Sequence, residues 1–276
     1  MSIPLPWQTD EHLIWLEKQD EPLQTSDGKV VTVYKLNHKE DELILSSWAK
    51  HFRNHYCLDE QIDFLKRGYG FSRKDYLTTI KFPDPLNNPG PGIRSGDFGE
   101  ILFADYLQYI LNYWVPRTRY SDKDIRNESS KGSDIIGFKF TAGKESPSDS
   151  LMIIESKAKL TGSKNENILQ KAVDHSGKDY TRKAESLNAI KQRLLDKNRI
   201  DEAVSIERFQ GQAEQPYKEI NGAALLILSS ILDDSILCQT ETKSHPNYDN
   251  LELIVIHGED ISDLIKKLYD RAANEA

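Results

Sequence analysis

Four consecutive apolar residues, Leu151-Met152-Ile153-Ile154, run directly into Glu155-Ser156-Lys157. An apolar run without alternation is the pattern of a strand covered on both faces. Such a strand should stay apolar to its end. Here Glu155 and Lys157 follow instead, two residues apart and therefore on one face. A carboxylate and an ammonium at the end of a buried strand are costly unless they pair or bind something.

A second strand pattern precedes this one. Gly132-Ser133-Asp134-Ile135-Ile136-Gly137-Phe138 alternates and is β-branched. Between the runs, Gly143, Pro147 and three serines supply turn chemistry. The two runs are expected to form a β-hairpin whose register brings Asp134 beside Glu155. Two carboxylates at a strand end make a hard-oxygen site suited to Mg²⁺ or Mn²⁺. A lysine beside them can hold or deprotonate a water, as in metal-assisted phosphodiester hydrolysis. A surface hairpin with an ordinary Glu–Lys pair has the same bare pattern.

The formal net charge of −8 argues against a protein that coats nucleic acid by bulk electrostatics. The charge is unevenly spread. Lys157 to Arg199 holds 11 Lys and Arg against 5 Asp and Glu, while the remainder holds 25 against 39. A basic excess thus follows directly on the suspected site, although a solvated helix face produces such a run too. No apolar run approaches the roughly 18 residues of a membrane span. Met1-Ser2-Ile3-Pro4-Leu5-Pro6 has no basic or apolar signal region, and Cys57 and Cys238 are too few for a disulfide framework. These features point to a cytoplasmic protein.

Along the chain, Lys29 to Leu36 reads as a strand, and Glu40 to Tyr56 has helical periodicity through Leu43, Leu45, Trp48 and Phe52. His51 and His55 lie four apart on that helix, with Cys57 close by. A metal pair is conceivable there, but ordinary packing histidines are the favoured reading because no further ligand cluster follows. Phe82 to Gly92 is the strongest breaker and is expected to separate residues 1–90 from residues 91–276. The next helix is expected to start near Asp97. Glu100 then has two readings: a capping-box partner of Asp97, or a third acid beside the sheet. Trp114 to Tyr120 reads as a strand with Pro116 at its start or edge. Lys164 to Lys197 reads as a long helix broken near Ser176-Gly177. Ala223 to Leu228 and Leu251 to Ile256 read as strands, and Ile261 to Ala273 as a closing helix.

A helix with Glu100, then Asp134, then Glu155-Ser156-Lys157, then a helix and a strand resembles the PD-(D/E)xK nuclease superfamily, over residues 94 to about 230. More narrowly, Arg94-Ser-Gly-Asp-Phe-Gly-Glu100 with Gly132-Ser-Asp134 and Glu155-Ser-Lys157 is similar to HamA, the nuclease subunit of the Hachiman anti-phage system. The proline of the superfamily's name is absent: Gly132-Ser133 precede Asp134.

The resemblance implies an α/β fold: a mixed β-sheet flanked by helices, with a restriction-endonuclease-like αβββαβ core and an N-terminal mixed extension. It implies Asp134 and Glu155 as metal ligands, the Ser156 carbonyl completing coordination, and Glu100 assisting metal or water binding. Lys157 would orient or activate the attacking water, as base or as electrostatic aid. The cofactor would be Mg²⁺ (or Mn²⁺), the substrate DNA, and the partner a helicase-like ATPase subunit, HamB. Lys159, Lys164, Lys171 and Lys178 are expected to line an approach to the site and contact phosphates. Residues 1–90 are the candidate for partner contact. A non-catalytic nucleic-acid-binding or scaffold module on the same fold, and an RNA-directed nuclease, are the alternatives.

Overall fold

The hairpin forms with the register that the apolar pattern implies. In the computed structural model, which describes residues 5–128, 132–141 and 146–276 (at 179–181 the backbone only), β4 (Ile135–Lys139) pairs antiparallel with β5 (Ser150–Lys159). Ile135 lies opposite Ile154, so Asp134 adjoins the level of Glu155. Gly143, assigned to the turn, lies outside the described residues.

The remaining elements build one sheet around this hairpin. In chain order they begin with β1 (Leu16–Lys18), β2 (Leu23–Gln24) and β3 (Val30–Leu36). Four helices follow: α1 (Glu42–Tyr56), α2 (Asp59–Leu65), α3 (Arg73–Tyr76) and α4 (Gly90–Asp105). After the hairpin come α5 (Ile168–Asp196), α6 (Ile200–Glu207), β6 (Lys218–Leu228), α7 (Asp234–Leu237), β7 (Leu251–Gly258) and α8 (Ile261–Asn274). The sheet order is β1-β3-β7-β6-β5-β4, with β2 also on β3. β5, β6, β7 and β3 run parallel to one another, while β4 pairs antiparallel with β5, and β1 and β2 antiparallel with β3. The architecture is a mixed α/β sheet flanked by helices.

Side-chain alternation assigns the two faces. Met152, Ile154, Ala224, Leu226, Ile254 and Ile256 pack with residues of α1, α4 and α8. Ala223, Leu225, Leu253 and Val255 pack with Leu169, Ala172 and Val173 of α5, and Leu151 and Ile153 with its Leu187, Ile190 and Leu194. Both faces of β5 are therefore covered, which is why its run is unbroken apolar. Gly137 on β4 is required by close approach, since a Cβ there would lie 2.6 Å from Leu107 Cδ2.

One sheet takes strands from both sides of residue 90, with β3 pairing with β7 from Val31↔Leu253 to Lys35↔His257. Three local expectations are corrected. α4 starts at Gly90, with Pro91 in its first turn where a missing N–H is harmless. Asp97 is thus inside the helix and is no N-cap. Residues 114–120 form no strand, only a single bridge from Trp114 to Phe138. Pro116 lacks an N–H, and Arg117 sits at φ 54, off any strand conformation. Finally, α5 runs unbroken through Ser176-Gly177. Those residues are small because Pro246 lies against the helix: a Cβ on Gly177 would be 3.2 Å from its Cδ.

Candidate functional site

The polar end of β5 faces α5. Glu155 is buried, the Lys157 ammonium hydrogen-bonds its Oε1, and His175 Nδ1 of α5 lies 3.4 Å from the same oxygen. Asp134, just before β4, turns its Oδ2 to accept the Ser156 N–H at 3.0 Å. Its partner strand is thereby clamped at the residue between Glu155 and Lys157. The start of β4 is held from α5, since Ser186 Oγ accepts the Ser133 N–H at 3.2 Å.

The other acids come from α4, and residues 117–123 neutralise each with a cation. Arg117 Nη2 lies 2.7 Å from Asp105 Oδ1. Lys123 Nζ donates to Asp97 Oδ2 at 2.6 Å, and Tyr56 donates to the same carboxylate at 2.8 Å. Between them, Arg119 Nε lies 2.9 Å from Glu100 Oε2 and Arg119 Nη2 lies 3.0 Å from Asp134 Oδ1. Arg119 Nη1 also donates to the Ser133 carbonyl at 2.5 Å. Tyr120 donates to Glu100 Oε2 at 2.6 Å. Glu100 therefore does not reach back to Asp97; it points towards Asp134, with one guanidinium between the two carboxylates.

Burial raises the Glu100 carboxyl to about 8; the Arg119 guanidinium opposes this and Asp134 adds to it. Burial also raises Asp97, against the pull of Lys123. A pocket beside this cluster is lined by Glu100, Arg117, Arg119, Tyr120, Asp134 and Arg193. His55 reaches the same pocket from α1.

His55 belongs to a second buried cluster that sequence reasoning set aside. His51 Nε2 lies 3.0 Å from Asp105 Oδ1, His12 Nε2 lies 3.1 Å from Oδ2, and His55 Nε2 lies 3.2 Å from His51 Nε2. His51, His55 and Asp105 could hold a metal ion, their ligand atoms all lying within 4.8 Å of one another. The ligand that sequence reasoning lacked is Asp105, which a different helix supplies. Cys57 takes no part; its thiol faces the Leu58 carbonyl. Hydrogen bonds satisfy only part of the cluster without a metal, since His12 Nδ1 is buried with no hydrogen-bond partner among the described residues. The Thr9 N–H donates to His51 Nδ1 at 3.2 Å, so the proton of the neutral ring sits on Nε2, towards Asp105. Burial pushes His51 and His55 down and would raise Asp105, but His51, Arg117 and the His12 hydrogen bond hold Asp105 well below the usual range.

Of the four lysines, Lys159 is buried, with Nζ 3.4 Å from the Glu166 carbonyl and 3.9 Å from its Oε2. Lys171 is paired with Glu166 as well. Lys164 and Lys178 are exposed. Sequence reasoning missed Arg119, Tyr120, Lys123 and His175. The alternating cations of Arg117-Thr118-Arg119 were visible, but a strand reading left them without partners.

No helix among the described residues is long and apolar enough to cross a membrane. A comparison with curated proteins found no match. The HamA family model matches residues 10–272. The chain belongs to the HamA family, a membership that suggests a role in anti-phage defence.

Proposed function

We propose that this protein is a metal-dependent nuclease that hydrolyses DNA phosphodiester bonds, acting in the cytoplasm as effector of an anti-phage complex under a helicase-like ATPase partner. The observation that carries the reading is the convergence of Asp134 on the Ser156 N–H, between Glu155 and Lys157, with Glu100 turned to the same place through Arg119. HamA-family membership supports the defence setting.

The donor set fits a hard divalent cation: carboxylates of Glu100, Asp134 and Glu155 and the Ser156 carbonyl are all oxygen ligands. The guanidinium between Glu100 and Asp134 supports the fit, because it marks a place where positive charge is stabilised. When bound, Mg²⁺ or Mn²⁺ supplies charge stabilisation at the phosphate and acidifies a coordinated water. Lys157, held by Glu155, orients the attacking water and offers positive charge to the scissile phosphate. Tyr120 fixes the Glu100 carboxylate by its hydrogen bond. Lys164 and Lys178, with the Glu166-paired Lys159 and Lys171 beside them, steer the phosphate backbone by charge. Residues 1–90 supply the contact to the partner, and residues 91–276 the chemistry.

The test is supercoiled-plasmid nicking with Mg²⁺, with and without EDTA, beside an RNA substrate of matched length. Mg²⁺-dependent nicking of DNA supports the reading. Cleavage of the RNA alone would favour the RNA-directed alternative, and cleavage of neither, with or without the ATPase partner, a non-catalytic module.

A further inference from the structure

The acidic centre already holds a cation of the protein's own. Arg119 lies 2.9 Å from Glu100 and 3.0 Å from Asp134, with its side chain only 13% exposed. It covers one oxygen of each carboxylate. A divalent ion bridging the same pair would sit within about 2.0–2.6 Å of those oxygens, too close for the guanidinium to keep its place. Charge argues the same way, since a buried guanidinium beside a divalent cation is unfavourable in both size and sign.

We propose that Arg119 is an internal counter-ion of the metal centre, and that divalent metal binds there only as the Arg119 guanidinium withdraws. The inference rests on the metal-centre reading above and adds its control. The movement asked of Arg119 is one of its side chain, since Thr118 and Tyr120 on either side of it are buried. Between Trp114, which bridges to Phe138, and β4, the described residues pair with no strand. The segment is instead pinned at points, by Arg117 on Asp105, Lys123 on Asp97, and the Pro116 carbonyl accepting from Arg199 at 3.0 Å. Room to withdraw exists in the adjoining pocket, which Arg117 and Arg193 also line. Arg117 there is committed to Asp105, whereas Arg193 lies 4.0 Å from Asp122 and offers its charge to an entering anion. A phosphate entering it would draw Arg119 off the carboxylates and open the centre to metal, so that substrate and metal favour each other's binding.

The experiment is calorimetric titration of Mn²⁺ into the full chain, comparing wild type, Arg119→Gln, Arg119→Lys and Asp134→Asn. Arg119→Gln should tighten Mn²⁺ binding by about tenfold or more, within the usual span of coupling between two competing ligands. Arg119→Lys should fall between the two, because one ammonium cannot span both carboxylates. If Arg119→Gln does not fold, Arg119→Lys carries the comparison. In thermal denaturation, the variant should also gain more from Mn²⁺ than wild type does. Equal Mn²⁺ affinity in wild type and the Arg119 variants, with binding abolished by Asp134→Asn, overturns the counter-ion role and leaves the metal centre standing. Absence of any Mn²⁺ binding that Asp134→Asn removes, in every variant, overturns the metal centre itself and this inference with it.

Discussion

Arg119 Nη2 lies 3.0 Å from Asp134 Oδ1, and the same guanidinium reaches Glu100 at 2.9 Å. One side chain from an irregular segment thus ties the main helix on one face of the sheet to the first strand of the hairpin. Removing one partner of a buried ion pair leaves an uncompensated charge, at a cost of about 3–5 kcal/mol. Without metal, Arg119→Gln should lose stability of that order in urea unfolding. Adding Asp134→Asn should recover part of the loss, since the orphaned charge goes with it. Strict additivity of the two substitutions would show that the pair is not coupled.

The buried histidines predict acid sensitivity. His55 is held well below its ordinary value by burial first, then by His51 and Arg117; His51 is also lowered, by burial, despite Asp105. The unfolded chain takes up these protons near pH 6.5, whereas the folded chain does not. Stability from this source is therefore complete above about 6.5 and falls as pH drops, by up to about 2.7 kcal/mol per unit for two sites. Glu100, raised by burial, works in the opposite sense between its unfolded value and about 8. The difference between wild type and His55→Gln isolates the His55 share of this slope. The variant should show a shallower decline between pH 6.5 and 5; parallel curves would place the proton elsewhere.

The lysines should differ from one another. Lys164 and Lys178 are exposed, while Lys159 is buried against Glu166. Replacing Lys164 and Lys178 by Ala should weaken DNA binding across sequences and lower the log–log salt slope by about one for each phosphate no longer neutralised. Lys159→Ala should change the slope less. An unchanged slope in the double variant would leave the run as a solvated helix face.

How much of this was legible in the chain depended on how far apart the interacting residues lie along it. Leu151 to Ile154 announced a strand covered on both faces, and the alternation before it set a register that adjoins Asp134 to Glu155. Those are local signals. Asp97 to Glu100 was ambiguous because Asp-x-x-Glu is also a capping pattern. The breaker Pro89-Gly90-Pro91 conceals the true helix start, since proline is tolerated in a first turn. Arg119 was unreadable as a partner of Glu100, because its placement depends on Arg117 adopting φ 54. The histidine cluster needed Asp105 from another helix, and the place of β3 beside β7 needed a parallel pairing between opposite ends of the chain. Neither leaves a periodic trace.

The central claim is that Glu155 and Lys157 carry chemistry and not assembly. Both follow an apolar stem, Leu151 to Ile154, that either substitution leaves intact. Glu155→Ala and Lys157→Ala should fold with wild-type circular dichroism and bind the partner subunit as wild type does. The most direct measurement is the initial rate of Mg²⁺-dependent plasmid nicking by the two folded variants. A loss of at least about a hundredfold in both is expected for removal of a metal ligand and of a group that handles the attacking water. Wild-type nicking by either variant would contradict the account.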